Sequence, residues 1–349
     1  MTNLCQQVKK LCVVGATILW FTLAGSAAAQ TRIRLATLLP RGTSQYQALE
    51  KMKQDWERDT HGAVTVTIYG DGTAGSEAES IQKLRIGSLQ AVTLSAASLA
   101  DVDSYLGAIE KVPMLFHSLD ESEYVLEKIA PQLEKRLESQ GFVVLFWADA
   151  GWIQLFSRQP ILRPADLKNT RLLTTPGDPA EVELIKTLGI LPEQRLWSDA
   201  YLGLQSGKID ELVTTPFLCL AGQFDRNAKH YLPLNYVPLA GATIISKKVW
   251  DSLTADQREV MHRAAVEAGK QIQASSRADN EKSIEAMKSR GLQMHPMTPE
   301  AEKEWQKYFE AVYPQVRGKL VPADIFDEVQ GVLAEYRSAM PQAQRGRGK

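Results

Sequence analysis

Cysteine is almost missing from this chain. Of the three, Cys5 and Cys12 lie in the first thirty residues and only Cys219 lies beyond them. A chain without those thirty residues can form no intramolecular disulfide, so its core alone must hold it. Histidine is sparse as well: His61, His117, His230, His262 and His295 offer no pair at metal-ligand spacing. No G-x-S-x-G elbow is present. Cys219 stands in the apolar run FLCLA, residues 217–221, which reads as a buried, inert thiol. Neither sign of charge dominates, with 40 basic and 41 acidic residues, which argues against nucleic acid or an anionic membrane as partner. Past residue 30 no run is apolar enough to cross a bilayer. Together these absences predict no catalytic residues, no metal and no cofactor.

What is present begins with the first 29 residues. Lys9 and Lys10 precede an apolar stretch over residues 11–23, and Ala27, Ala28 and Ala29 supply a small-residue cleavage site. This predicts a signal peptide cut after Ala29. The alternative is an uncut anchor, but the stretch falls short of the roughly 20 residues of a membrane span. Export without disulfides points to the periplasm. The tail, residues 341–349, is polar and basic and is expected to be disordered.

Between these ends, strand and helix patterns alternate. Strands are expected at residues 33–39, 63–69, 91–94, 141–147, 154–157, 171–174, 209–214 and 241–246. Helices are expected at 44–58, 76–86, 118–139, 179–188, 198–205 and 254–290, with two more opened by Pro299 and Pro322. The capping pairs Ser44/Gln47, Ser76/Glu79, Ser118/Glu121 and Thr254/Gln257 mark four helix starts. Such an order implies an α/β fold with parallel strands and helices on both faces. There is no flexible linker, so two domains would be joined by strands that cross between them.

Gly70, Gly72 and Gly75 match a dinucleotide fingerprint after a strand and before a helix. No acidic residue ends the next strand, where Ser95 stands instead, and Glu77 and Glu79 occupy the turn a phosphate would need. The glycines read as a turn into a capped helix.

Several segments, in order, resemble the DctP family, the solute receptors of TRAP-type transporters. They are IRLATLLP at residues 33–40, IYGDGTAGSE at 68–77, LRIGSL at 84–89, VPMLF at 112–116, PILRPADLK at 160–168 and YLGLQSGKID at 201–210. The resemblance implies a periplasmic binding protein-like fold with two α/β domains, hinge strands and a ligand cleft between them. It implies closure on a small molecule and delivery to the TRAP membrane permease. The expected division is 30–151 with 241–280 as domain I, and 152–240 with 281–340 as domain II.

The resemblance also exposes departures. Where most members carry a ligand-binding arginine in DLKGLKIRV, this chain has Leu173, with Arg171 two residues earlier. A second arginine position holds Ile153, beside Trp152. Ser95 and Gly241 stand where other receptors carry polar contacts, Leu38 stands in the opening loop, and Trp197 keeps an aromatic position. The expected lining is therefore Leu38, Leu39, Ser95, Trp152, Ile153, Leu173, Thr174, Trp197, Thr215, Phe217 and Tyr236, with Trp147 open between core and cleft. A lining of this kind suits a hydrophobic or amphipathic ligand, each buried methylene contributing roughly 0.8 kcal/mol. Two alternatives remain: a carboxylate held by Arg171, Arg158 or Arg195, and an exported α/β enzyme. The loops TTPGDP at 174–179 and TTPF at 214–217 resemble the subgroup paired with a TatT-type helical-repeat protein, implying a possible handover partner.

Overall fold

The computed structural model describes residues 30–339 apart from Gly177. The expected signal peptide and tail lie outside the described residues. The strands are β1 (Thr31–Ala36), β2 (Val64–Tyr69), β3 (Ala91–Ser95), β4 (Phe142–Ser157), β5 (Arg171–Thr174), β6 (Leu191–Gln194), β7 (Glu211–Thr214), β8 (His230–Ser246) and β9 (Gln293–Met294). The helices that shape the argument are α1 (Ser44–Asp59), α2 (Glu77–Arg85), α3 (Leu119–Ser139), α4 (Pro179–Thr187), α5 (Ala200–Gln205), α6 (Pro216–Ala221), α7 (Ala255–Ser289), α8 (Pro299–Glu310) and α9 (Ala323–Ala339).

One mixed sheet runs through the molecule in the order β2-β1-β3-β8-β4-β7-β5-β6, with β9 beside β8. At one end β1 is parallel to β2 and β3; at the other β5 is parallel to β6 and β7. Between them, β8 runs antiparallel to β3 and β4, and β4 antiparallel to β7. The upper half thus holds β1–β3 and the lower half β5–β7, while β4 and β8 pass through both.

Helices cover both faces of each half. In the upper half Leu49, Met52 and Trp56 of α1 pack on Ile33, Leu35 and Val66. On the other face Val125, Ile129 and Leu133 of α3 and Phe326 of α9 meet Val92, Leu94 and Ile244. In the lower half Phe156, Leu212 and Tyr231 share a core with Leu204 of α5 and Met287 of α7. Leu155, Ile185 and Leu232 pack with Trp305 and Phe309 of α8.

Two strands are longer than their sequence patterns. The runs at 141–147 and 154–157 are one strand, β4, which carries register shifts between Val144 and Phe146, Asp149 and Trp152, and Ile153 and Leu155. Such irregularities break the alternation that marks a strand. β8 begins at His230, eleven residues before its readable end at Gly241, because Pro233 and Pro238 interrupt it. The box at Ser44 is also displaced: Thr43 is the cap and accepts the Tyr46 N–H. The boxes at Ser76 and Thr254 form as read, with both reciprocal bonds.

Helix α7, 35 residues long, ties the halves together. Gln45 donates to Ser276 at 3.2 Å and Trp56 to the Met261 carbonyl at 2.9 Å in the upper half. Asn280 donates to the Ala150 carbonyl at 2.8 Å and accepts from the Phe217 N–H at 3.0 Å. Asp149, buried in the crossing, accepts from the Gly151 N–H at 3.0 Å and from Gln273 at 2.7 Å. Gly151 has φ +87°, and a Cβ there would come within 2.5 Å of the Asn280 amide nitrogen. Gly151→Ala is therefore expected to lose at least about 1–2 kcal/mol from backbone strain alone, read as a lower midpoint in urea unfolding. An unchanged midpoint would contradict this close approach.

Candidate functional site

In open α/β sheets ligands bind beyond the carboxyl ends of the parallel strands. Here the ends of β1 and β3 in the upper half face those of β5 and β7 in the lower. Past β3, Ser95 caps a short helix and its hydroxyl donates to Glu77 at 2.7 Å, while its N–H donates to the same carboxylate at 2.9 Å. Ser98 donates to Glu77 as well, at 2.5 Å. Glu77 thus fills the helix start left by the glycine turn with protein contacts. Farther along, Glu110 accepts the Ala97 N–H at 2.9 Å. The next residue, Lys111, reaches across to Asp178 at 2.6 Å, the N-cap of α4 beyond β5. Leu184 of α4 also packs into the upper core, so the two halves touch along this line.

The electrostatics of this line are those of a crevice. Burial pushes the Glu110 carboxyl up to about 8. Glu181 is raised by burial and by Asp178 although it remains exposed to solvent, which fits a group surrounded but not covered. Asp101 is raised by burial too. Asp178 is lowered by its bond to Lys111, against the opposing pull of burial.

The expected lining residues divide among three settings. Leu38 is 48% exposed on the rim, Leu39 is half-buried, and Trp197 is exposed, resting edge-on against Phe224 at 5.4 Å. Trp152 and Ile153 are half-buried in the crossing of β4, with Trp152 packed on the upper core. Tyr236 is half-buried, edge-on to Phe309 at 5.3 Å, and burial raises its hydroxyl pKa. Thr174 ends β5 with its hydroxyl buried and unpartnered. Leu173, by contrast, is 6% exposed and packs with Phe156, Leu204 and Ile209 in the lower core. Thr215 is buried and committed to capping α6; Phe217 follows it, its N–H held by Asn280. The Ser95 hydroxyl already has protein partners. Trp147 lies outside the cleft, its indole donating to Glu134 of α3 at 3.0 Å. Gly241 is small for a steric reason: a Cβ there would meet the Leu94 carbonyl oxygen at 2.5 Å.

Each candidate arginine lies beside a carboxylate, although the Arg195 Nε is buried without a hydrogen-bond partner. Arg171 grips Asp210 through Nε and Nη2, each at 2.7 Å. It stands at the start of β5, the end away from the cleft. Arg158 lies 3.6 Å from the same carboxylate, and Arg195 pairs with Glu193 at 2.6 Å. Arg171 therefore stands away from the cleft, and the geometry lends its acid-binding role no support. The charged line of Glu77, Glu110, Lys111, Asp178 and Glu181 was missed, because residues 67 positions apart meet only in the folded chain.

Residues 35–319 match the family described as bacterial extracellular solute-binding protein, family 7, DctP. The chain belongs to that family. Its similarity to the C4-dicarboxylate-binding periplasmic protein DctP of Rhodobacter capsulatus is 24% identity, over 93% of this chain and 97% of that one. Among solved structures, a TRAP periplasmic solute binding protein from Ochrobactrum anthropi superposes with TM-score 0.80 at 22% identity, covering 92% of this chain and all of the other. One from Xanthobacter autotrophicus, with bound β-D-galacturonate, gives TM-score 0.79 at 21% identity, covering 86% and 99%. This DctP-family chain is a solute-binding receptor of the TRAP type and not an enzyme. No described helix is long and apolar enough to cross a membrane.

Glu110 gives a pH signature. A carboxyl raised from 4.5 to about 8 holds its proton more tightly in the folded state. The stability this contributes is complete below about pH 4.5 and is lost as pH rises to about 8. The loss is on the order of a few kcal/mol. Glu110→Gln should abolish it: melting temperatures of wild type should fall relative to the variant between about pH 5 and pH 8. Parallel curves would contradict a buried, neutral Glu110.

Proposed function

We propose that this receptor captures an organic acid with a substantial apolar body in the cleft between the two halves and delivers it to a TRAP permease. The observation that carries the acid is the company the chain keeps. The R. capsulatus relative is named for C4-dicarboxylates, and the X. autotrophicus receptor holds galacturonate. A receptor from Ralstonia eutropha holds (S)-2-acetolactate. This reading replaces a purely hydrophobic cargo. The apolar body rests on the rim and hinge residues Leu38, Leu39, Trp152, Ile153 and Tyr236, which are exposed or half-buried and would shed water on closure. Handover to a helical-repeat TatT-type partner rests on the two Thr-Thr-Pro loops alone, at residues 174–176 and 214–216.

The test is a thermal-shift and calorimetric panel on the purified chain. It sets succinate, D-galacturonate and octanoate against the uncharged D-galactose and 1-octanol. An acid present at 100 times its Kd stabilises the folded state by about 2.7 kcal/mol, so a rise of several degrees is expected with at least one acid. A response confined to the uncharged compounds would overturn the reading.

A further inference from the structure

We propose that Lys111 is the cation that receives the solute's carboxylate, and that Asp178 takes that place in the empty protein, latching the two halves until the solute displaces it. This rests on the organic-acid reading and names the residue that reading lacks.

Three observations converge. The first is position. Lys111 follows Glu110, which is anchored to Ala97 just past the end of β3, and Asp178 follows β5. The pair therefore bridges the two sets of strand ends that face each other across the cleft. The second is geometry. The Nζ–Oδ2 distance is 2.6 Å, with side chains only 16% and 24% exposed. The Lys111 stem is guided along Gly107, where an added Cβ would meet its Cδ at 3.1 Å. The third is unused capacity. An ammonium has three donors, and among the described residues Asp178 is the only hydrogen-bond partner of Nζ.

The remaining charges make the exchange workable. The titratable groups around Lys111 are Asp101, Glu110 and Glu181, with Glu77 behind Glu110. Burial keeps Glu110 protonated at neutral pH and raises Asp101 and Glu181. A protonated carboxyl does not repel an incoming carboxylate and can donate a hydrogen bond to it. Swapping Asp178 for a solute carboxylate keeps one anion on Lys111, while the displaced Asp178 still accepts the Glu181 N–H at 3.0 Å; the exchange adds one anion to the cleft, which burial of the solute's apolar body must offset.

The experiment measures the ligand-free radius of gyration by solution scattering, and the affinity for D-galacturonate and octanoate by calorimetry. It compares wild type, Lys111→Met, Lys111→Arg and Asp178→Asn. Met retains the stem, Arg the charge and Asn the capping group of α4. Both Lys111→Met and Asp178→Asn should expand the empty protein. Their effects on acid binding should then diverge, with at least tenfold weaker binding in Lys111→Met and at least fivefold tighter binding in Asp178→Asn. Lys111→Arg should bind within threefold of wild type. A merely structural ion pair would move both affinities the same way, and that result overturns the proposal. Unchanged dimensions in both variants overturn it too. If the variants expand but no acid binds wild type, the organic-acid reading fails, and the exchange with it.

Discussion

Strands β4 and β8 are paired along nearly their whole length, from Phe142 opposite Ser246 to Ser157 opposite His230. Each belongs to both halves of the molecule, so neither half completes its sheet alone. The backbone ladder that stabilises the two cores is also what sets the distance between them. Three register shifts interrupt that ladder, and the one between Asp149 and Trp152 lies at the crossing between the halves. A bulge there bends and twists the strand, and Gly151, lacking a Cβ, leaves room for the Asn280 amide. Helix α7 crosses behind this point and is pinned to both halves. The crossing between the halves is therefore a bend in a continuous sheet, backed by a helix.

The chemistry of the cleft follows from what this arrangement brings together. Strand ends from both halves converge, and their loops carry carboxyls with one lysine among them. Desolvation holds the Glu110 carboxyl protonated at neutral pH, so the region carries one anion fewer than its formula suggests. Of the candidate arginines, Arg171 is the one spent on local structure. Arg171 pairs bidentately with Asp210, whose carboxylate that bond lowers, and so braces the far end of β5. A guanidinium held by two short bonds to its own carboxylate is poorly available to a solute.

Much of the fold was legible before any coordinates. The boxes at Ser76 and Thr254 placed two helices because a cap and its reciprocal partner are both local. The β-branched run of β2 and the apolar runs of β3 and the first part of β4 were readable for the same reason. β8 was half hidden by its prolines, and β4 was split by its bulges, since periodicity fails where register does. Among the candidate lining residues, Leu38 and Trp152 were chosen by position in the family pattern, and that pattern also pointed to Leu173. A strand position does not say which way a side chain turns, and Leu173 turns into the lower core. Lys111 and Asp178 carried no local signal at all. In sequence each is an ordinary charge, and only topology makes them neighbours.

The central claim is that the cleft between the two halves holds a solute bearing a carboxylate. The most direct measurement is mass spectrometry of the small molecules released by denaturing receptor purified from the periplasm of cells that make it. The account predicts a carboxylic acid with an apolar portion, at close to one molecule per chain. A neutral lipid or an uncharged sugar at that stoichiometry would contradict it.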